Sequence, residues 1–167
     1  MTPSPDFLLV HLLSLVPDSG GVALDAGCGA GRNLPYLDGE GYSVVALDRV
    51  RIPRESSGVY GDIRRLPYRS GVFDLVVCDS VLDTWPAGGD ACATSAVAEL
   101  KRVLKSGGHL IVIVAASEGS DPGITFSKDS VLGWVEDLDV IELLYVRMEY
   151  PPVVGVRAQW AILARRR

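Results

Sequence analysis

The chain has 167 residues, the usual size of one domain, and a domain of this size can bury its own core without a metal or a disulfide. Its composition, 48% hydrophobic and 22% charged, is typical of a soluble globular protein and excludes a disordered one. Acidic residues outnumber basic ones by 21 to 16, and the net charge of −5 argues against a broad nucleic-acid-binding face, which would be basic.

An apolar segment near the start of the chain predicts the first helix. The leucines of Pro5–Leu15 recur at helical spacing, and Pro17 ends the pattern. The apolar run Phe7–Val16 has ten residues, too few to span a bilayer, and it has neither a basic leader nor a signal-peptide cleavage site. We therefore expect a helical segment within residues 1–20 and neither a membrane anchor nor a secretion signal.

The elements that follow alternate between apolar runs and amphipathic helices. Buried parallel strands are nearly continuous apolar runs, whereas helices carry an apolar stripe. In chain order the pattern predicts strand Val22–Ala26, helix Arg32–Leu37, strands Ser43–Leu47, Val59–Tyr60 and Val72–Cys78, helix Asp90–Lys105, strand His109–Ala115, helix Lys128–Leu138, and strands Val140–Met148 and Val156–Ala164. Gly107 and Gly108 are expected to end the third helix, and Ser127 to cap the fourth.

This alternation predicts the fold class. Helical crossovers between the first five strands predict a parallel sheet with helices on both faces. The last two strands are separated by too few residues for a crossover, so we expect them to be antiparallel neighbours. The predicted fold is therefore α/β, a three-layer sandwich around a mostly parallel, seven-stranded sheet.

The cysteines indicate neither a disulfide framework nor a zinc site. Cys28, Cys78 and Cys92 are odd in number and form no CxxC pair. Free cysteines are typical of a reducing compartment, so a cytoplasmic location is expected. Cys78 and Cys92 are interpreted as packing residues, and Cys28 as a small residue in a crowded turn without thiol chemistry.

Three glycines follow the first predicted strand in the sequence LDAGCGAGR, residues 24–32. Glycines at such a junction permit positive φ angles and let a ligand approach the backbone, and free N–H groups at the following helix favour an anionic or polar ligand. A dinucleotide-binding GxGxxG fingerprint would need a glycine at position 32, where Arg32 stands. The loop alone leaves two interpretations open, a cofactor site or a plain tight turn.

Five ordered motifs resemble those of class I S-adenosylmethionine-dependent methyltransferases, in particular the small-molecule branch similar to the ubiquinone-biosynthesis type. They are the loop at 24–32, VVALD at 44–48, GDIRRLPY at 61–68, GVFDLVVCD at 71–79 and ELKRVLKSGG at 99–108. Ser106 stands where the family usually has proline. The resemblance implies one methyltransferase domain over residues 1–167, divided into an N-terminal helical segment (1–20), a cofactor-binding half (21–115) and a C-terminal helix with an antiparallel strand pair (116–167). It also implies a Rossmann-like sheet of strand order 3-2-1-4-5-7-6 with an antiparallel last strand.

The resemblance further implies S-adenosylmethionine as the cofactor and S-adenosylhomocysteine as its product. Asp48 would accept hydrogen bonds from the ribose hydroxyls and Asp62 from the adenine amino group, while Asp25 would face the ammonium of the methionine end. The implied cofactor contacts are Asp25, Ala26, Gly27, Cys28, Gly29, Arg32, Asp48, Arg49, Asp62, Ile63, Cys78, Asp79 and Ser80. For each acid the alternative is a local role in a turn or in solvent.

The stretch between the second and third strands departs from the family pattern. Only thirteen residues separate Asp48 from Asp62, and they include Pro53 and Gly58. The usual crossover helix does not fit this length. We therefore expect a shortened connection and a more open flank of the adenine pocket.

The acceptor side shows no catalytic triad, metal-ligand cluster or paired-carboxylate motif. A general base is needed only if the acceptor keeps its proton, and the candidates are Asp79, Asp83 and His11. Asp79 could instead cap a turn, and Asp83 could be a solvated loop acid. Trp85 could wall the acceptor site or cover the edge of the core.

We expect a small-molecule acceptor and neither a membrane nor a nucleic-acid partner. The chain has little room for a lid, so the acceptor pocket is expected to be open, or to be completed by a second copy in a homodimer. Two other functions remain as alternatives. One is a non-catalytic, methyltransferase-like cofactor-binding or partner subunit. The other is a nicotinamide-dependent oxidoreductase, which would need the third glycine and normally a separate substrate domain.

Overall fold

The computed structural model describes residues 4–50, 52–53, 56–84, 89–117, 124–149 and 156–167. The strands within these ranges are β1 (Gly21–Ala26), β2 (Tyr42–Asp48), β3 (Gly58–Tyr60), β4 (Phe73–Asp79), β5 (Leu104–Ala115), β6 (Asp139–Glu149) and β7 (Val156–Arg165). The helices are α1 (Phe7–Leu13), α2 (Leu34–Gly39), α3 (Gly89–Val103) and α4 (Lys128–Trp134), with a 3₁₀ turn at Leu82–Thr84.

The strands form one seven-stranded sheet in the order β3-β2-β1-β4-β5-β7-β6. The first five strands pair in parallel, and Leu24 of β1 lies opposite Val45 of β2 and Val76 of β4. β7 runs antiparallel to both neighbours, with Ile162 opposite Val112 of β5. The predicted fold class and strand order are therefore confirmed, including the reversed last strand.

Helices cover both faces of the sheet, because alternate side chains of each strand point to opposite faces. On one face, α1 and α2 pack over Leu75 and Val77 of β4. On the other face, α3 and α4 pack over Val76 and Cys78 of the same strand. Full burial of an aliphatic side chain contributes about 1.5–3 kcal/mol, so these two cores hold the three layers together.

The apolar N-terminal segment forms α1, which packs on the sheet. Its leucines Leu9 and Leu12 are fully buried. The helix begins at Phe7 and not at Pro5, because Asp6 occupies the capping position and its Oδ1 accepts a hydrogen bond from the Leu8 N–H at 2.8 Å. None of the helices in the described part of the chain has the length and apolar character that crossing a membrane requires.

The junction between α3 and β5 differs from the prediction. The helix ends at Val103 and the strand already begins at Leu104, five residues before His109. Leu104 pairs with Phe73 of β4, and a register shift follows. Gly107 therefore lies inside β5 with φ of 80° instead of ending the helix. The prediction was wrong because pairing with a distant strand, and not a local glycine signal, sets this boundary.

Two other helices differ from the prediction. The chain continues in turns after the glycine loop, so α2 spans Leu34–Gly39 instead of Arg32–Leu37, at the same length. The Ser127 hydroxyl caps α4 as predicted, by accepting from the Ser130 N–H at 3.1 Å. That helix ends at Trp134 because the residues after it form turns that still bury Leu138.

The connection between β2 and β3 is short, as the spacing of thirteen residues predicts. No helix forms among its described residues, and β3 is only three residues long. Val59 and Tyr60 of β3 are 39% and 67% exposed. β3 is thus a short, exposed edge strand beside the carboxyl end of β2.

Candidate active site

The glycine loop turns sharply at the carboxyl end of β1. The Gly27 N–H donates to the Leu47 carbonyl at 2.7 Å, and Gly27 has φ of 89°. A Cβ at this position would overlap the side chain of Val81, so no larger residue fits. Gly29 also has positive φ, but a Cβ there would meet no atom within 4 Å. The loop is therefore tight against the β4 end at Gly27 and open at Gly29.

The Asp48 carboxylate links this loop to the end of β2. Its Oδ2 accepts from the Gly29 N–H at 2.9 Å, and its Oδ1 accepts from the Val50 N–H at 2.7 Å. Asp48 thus fixes the glycine loop against the carboxyl end of β2.

A cleft at this edge of the sheet brings together the residues expected to hold a nucleoside. It is lined by Gly27, Asp48, Arg49, Val50, Gly61, Asp62, Ile63, Val81 and Thr84. The Asp62 carboxylate is bonded to the Arg64 guanidinium, with 3.0 Å between Arg64 Nε and Asp62 Oδ1. These hydrogen bonds hold the pKa of Asp62 below its ordinary value. Any contact between Asp62 and a ligand is therefore shared with Arg64.

Asp25 is a buried acid at the end of β1 that lacks a full set of partners. The residue is 2% exposed, and its Oδ2 has no hydrogen-bond partner in the described ranges. Burial, and next the negative charge of Asp79, raise its pKa to about 7. An unpartnered, buried carboxyl beside an open glycine turn fits a cationic ligand group such as an ammonium. The residues present therefore fit the amino-acid end of the cofactor that the sequence motifs imply.

Arg32, which is partly exposed, and the buried Asp79 form an ion pair between the glycine loop and the end of β4. The Arg32 Nη2 lies 2.6 Å from Asp79 Oδ2 and 3.3 Å from Asp6 Oδ2. Asn33 Nδ2 also donates to Asp79 at 2.9 Å. The Ser80 hydroxyl donates to the other Asp79 oxygen at 2.9 Å. Asp79 therefore has three side-chain donors, and the sequence analysis missed two members of this network, Asp6 and Asn33.

The network also changes the interpretation of its members. Both Asp79 oxygens already accept hydrogen bonds from the chain, so we interpret Asp79 as a positioning residue. Arg32 forms ion pairs with Asp79 and Asp6, so its charge is already paired within the chain. Asp6 and Asn33 carried no sequence signal of their own, because they meet Asp79 only through long-range packing.

Ser80 marks the turn after β4 with an unusual backbone. It is the non-glycine residue with positive φ in the described ranges, at 56°. Its N–H donates to the Ile113 carbonyl at 2.9 Å, so the conformation is held by the sheet. Such a conformation costs of order 1–3 kcal/mol and is frequent at ligand sites. Cys78, which precedes this turn, is fully buried in the core as predicted.

The other candidates on the acceptor side are Asp83, His11 and Trp85. Asp83 accepts from the Ala115 N–H at 3.2 Å, and its Oδ1 lacks a partner among the residues described. Burial raises its pKa. His11 is exposed on α1, about one and a half turns beyond Asp6, so it lies away from the Asp79 network. Trp85 lies outside the described residues.

Cys28 and His109 are interpreted as structural residues. Burial raises the pKa of Cys28 to about 12, so this thiol stays protonated. His109 is buried in β5 opposite Leu75, at the amino end of the parallel strands. Burial lowers its pKa. Neither group adds chemistry to the site.

A glycine turn after β1, an acid after β2 and a reversed β7 define a class I, Rossmann-like methyltransferase fold. Residues 24–112, more than half of the chain, match the methyltransferase-domain family. The chain belongs to this family, as the ordered motifs predicted. The narrower ubiquinone-biosynthesis-type branch stays a prediction.

Known proteins of similar sequence and structure agree with this assignment. An uncharacterized chloroplastic methyltransferase of Arabidopsis thaliana is 31% identical over 134 residues, which cover 69% of this chain and 36% of the plant protein. An S-adenosylmethionine-dependent methyltransferase of Methanosarcina mazei superposes with a TM-score of 0.76 at 17% identity, over 93% of this chain and 96% of that one. The chain spans less than half the length of the curated relatives it matches.

One structural neighbour was solved with its ligands. It is the 1,6-didemethyltoxoflavin-N1-methyltransferase of Burkholderia thailandensis, with bound 1,6-didemethyltoxoflavin and S-adenosylhomocysteine. It superposes with a TM-score of 0.71 at 21% identity, over 95% of this chain and 74% of that one. The likeness at this level of identity concerns the fold.

Proposed function

We propose that this chain is an S-adenosylmethionine-dependent methyltransferase that acts on a small-molecule acceptor. The observation that carries the proposal is the buried Asp25 carboxyl, unpartnered at Oδ2 among the described residues and placed beside the open glycine turn. Membership of the methyltransferase-domain family supports it. The nicotinamide alternative is disfavoured because Arg32, in place of a third fingerprint glycine, bonds Asp79 and Asp6.

The chain offers a matching group for each part of the cofactor. Asp48 lines the cleft at the carboxyl end of β2 and would accept hydrogen bonds from the ribose hydroxyls. Asp62 and Ile63 line the same cleft and would hold the adenine. Asp25 would pair with the ammonium of the methionine end. The proposed cofactor contacts therefore run from the end of β1 to the residues after β3.

The cofactor supplies, when bound, a methyl group activated by a sulfonium. The residues of the chain bind and orient the two reactants, and alignment of this kind can lower a barrier by roughly 7–11 kcal/mol. Where the acceptor keeps its proton, Asp83 is better suited than Asp79 to take it. Its Oδ1 lacks a partner within the described ranges and its pKa is raised, whereas Asp79 holds three donors.

The test compares two nucleoside cofactors by calorimetry on the full chain. We expect S-adenosylhomocysteine to bind with one-to-one stoichiometry and NAD to show no binding. Binding of NAD without S-adenosylhomocysteine would overturn the proposal. Binding of S-adenosylhomocysteine without methyl transfer to any of a broad acceptor panel would favour the non-catalytic, methyltransferase-like subunit.

We also propose a cellular location and an oligomeric state for the protein. A cytoplasmic location is supported by the free cysteines, two of which are buried. A homodimer that completes the acceptor site stays a proposal, which sedimentation of the chain with S-adenosylhomocysteine tests. We expect a sedimentation coefficient of a dimer if the second copy completes the site, and of a monomer if the pocket is open.

A further inference from the structure

A second cavity lies next to the nucleoside cleft, on the α1 face of the sheet. It measures about 290 Å³, the size of a small organic molecule. Asp6 and Phe7 at the start of α1, Ser80 after β4, Met148 on β6, and Arg157 and Gln159 on β7 line it. None of the sequence motifs pointed to the residues of β6 and β7.

The end of β4 separates the two cavities. Val81 lines the nucleoside cleft, and its neighbour Ser80 lines the second cavity. Arg32 also lines the second cavity while it bonds the buried Asp79. A molecule in the second cavity would therefore lie across the Asp79–Val81 segment from the proposed nucleoside. This is where an acceptor must approach the methyl group.

The β7 wall of the cavity presents two polar groups that can donate hydrogen bonds. Arg157 and Gln159 are two residues apart on one strand, so their side chains share a face of the sheet. Among the described residues, neither the Arg157 guanidinium nor the Gln159 amide makes a hydrogen bond or an ion-pair contact, and the Asp83 carboxylate interacts with Arg157 through its charge. Arg32, by contrast, is already paired with Asp79 and Asp6. Arg157 is thus the cation of this cavity whose N–H donors make no hydrogen bond among the described residues, with Asp83 as its charged neighbour.

Two apolar side chains also line the cavity. Phe7 is 53% exposed at the start of α1, although its neighbours Leu8 and Leu9 are buried. Met148 faces the same cavity from β6, where it lies opposite Arg157. An aromatic ring and a thioether provide contacts for a flat apolar body. The cavity therefore combines apolar side chains with a cation.

We propose that the methyl acceptor is a small carboxylic acid with a flat, apolar body. Its carboxylate binds Arg157 and Gln159, and its body lies against Phe7 and Met148. An arginine guanidinium matches a carboxylate because two parallel N–H donors meet its two oxygens. The reacting atom then lies towards Ser80, away from the carboxylate. This inference rests on the proposed function, because it names the substrate class of the same site.

The test uses benzoate and its neutral isostere benzamide as probes, titrated by NMR into the full chain with and without S-adenosylhomocysteine. We expect benzoate to shift the signals of residues around this cavity and to bind at least about tenfold more tightly than benzamide, the scale of one charge-assisted hydrogen bond. R157Q should remove this preference, whereas R157K, which keeps the charge, should retain part of it. Binding of S-adenosylhomocysteine should be unchanged in both variants.

Arg69→Gln is the matched control, since Arg69 is exposed four residues before β4 begins, at the other edge of the sheet. It makes the same charge change and should leave the benzoate preference intact. Equal affinity for benzoate and benzamide, or a benzoate preference that survives R157Q, would overturn the inference while S-adenosylhomocysteine still binds. Failure of S-adenosylhomocysteine to bind would instead overturn the proposed function, and this inference with it.

Discussion

Asp25 is buried at the end of a central strand, and its Oδ2 meets no partner in the part of the chain described. Such a group is costly unless a ligand completes it. The position of Asp25 beside a glycine turn could be predicted from the sequence, because the acid and the glycines form one continuous motif. The contacts of Asp79 could not, because Arg32 and Asn33 reach it across 47 and 46 residues of sequence.

Proton release on cofactor binding tests the role of Asp25. In the free protein its pKa is raised to about 7, so at pH 6 the group is mostly protonated. An ammonium favours the carboxylate form, so binding of S-adenosylhomocysteine at pH 6 should release close to one proton and should weaken as pH falls below about 7. Calorimetry in two buffers of different ionisation enthalpy measures this release. Asp25→Asn should abolish it, and an equal release in that variant would contradict the assignment.

The same group affects the stability of the ligand-free protein. Its pKa in the folded chain lies above the ordinary value of 3.8, so between about pH 4 and pH 7 the folded state binds more protons than the unfolded state. The free energy of unfolding should therefore fall as pH rises through this range. In Asp25→Asn, the free energy of unfolding measured by urea denaturation should fall less over this pH range. Identical pH profiles would show that Asp25 is not buried as described.

Asp48→Ala tests the nucleoside cleft. Loss of the carboxylate should weaken binding of S-adenosylhomocysteine by about 1–3 kcal/mol, since charge-assisted hydrogen bonds to the ribose are lost and the Gly29 N–H loses its acceptor. Asp38→Ala, which removes an exposed acid of α2, is the control and should change the affinity little. Unchanged calorimetric affinity in Asp48→Ala would remove this residue from the site.

At the scale of elements, the strands and their order could be predicted because each central strand is a continuous apolar run. The end of α3 could not, because Leu104 joins β5 through its pairing with Phe73, which lies outside any local window. The lack of a helix among the described residues between β2 and β3 was predictable from the short spacing between Asp48 and Asp62. Helix starts shifted by up to two residues where a cap or a turn, and not the apolar stripe, set the boundary.

The ion pair between the glycine loop and β4 should contribute to stability. Arg32→Gln leaves the buried Asp79 carboxylate with two donors instead of three. We expect a loss of about 1–3 kcal/mol in the free energy of unfolding, measured by urea denaturation. The double variant with Asp79→Asn should lose less than the sum of the single losses, because the two side chains interact directly. Strict additivity, or a loss no larger than in Arg69→Gln, would contradict the contact.

Gly107 provides the test of the β5 boundary. Its φ of 80° is a conformation that side-chain-bearing residues rarely adopt, so Gly107→Ala should destabilise the fold by about 1–2 kcal/mol. Gly39→Ala is the control, because Gly39 has an ordinary φ and open space around it, and it should be neutral or slightly stabilising. Equal effects of the two substitutions in thermal unfolding would contradict the positive φ of Gly107 within β5.

At the scale of the whole molecule, the candidate functional residues lie at one edge of the sheet, where the carboxyl ends of the parallel strands meet. Asp25 is the last residue but one of β1, and Asp48 and Asp79 end β2 and β4. The start of β7 lies at the same edge because that strand is reversed. The sequence motifs predicted the first three positions. They did not predict the cavity at β7, because an antiparallel strand brings its first residues to this edge only after the sheet has formed.

A crystal structure of the full chain with S-adenosylhomocysteine tests most directly whether this edge is a nucleoside site. We expect the ribose hydroxyls within hydrogen-bond distance of the Asp48 carboxylate and the amino group within hydrogen-bond distance of Asp25, with the sulfur beside the Asp79–Ser80 turn. Density for the nucleoside elsewhere on the molecule, or side chains filling the space between Asp25 and Asp48 in the complex, would contradict the proposal.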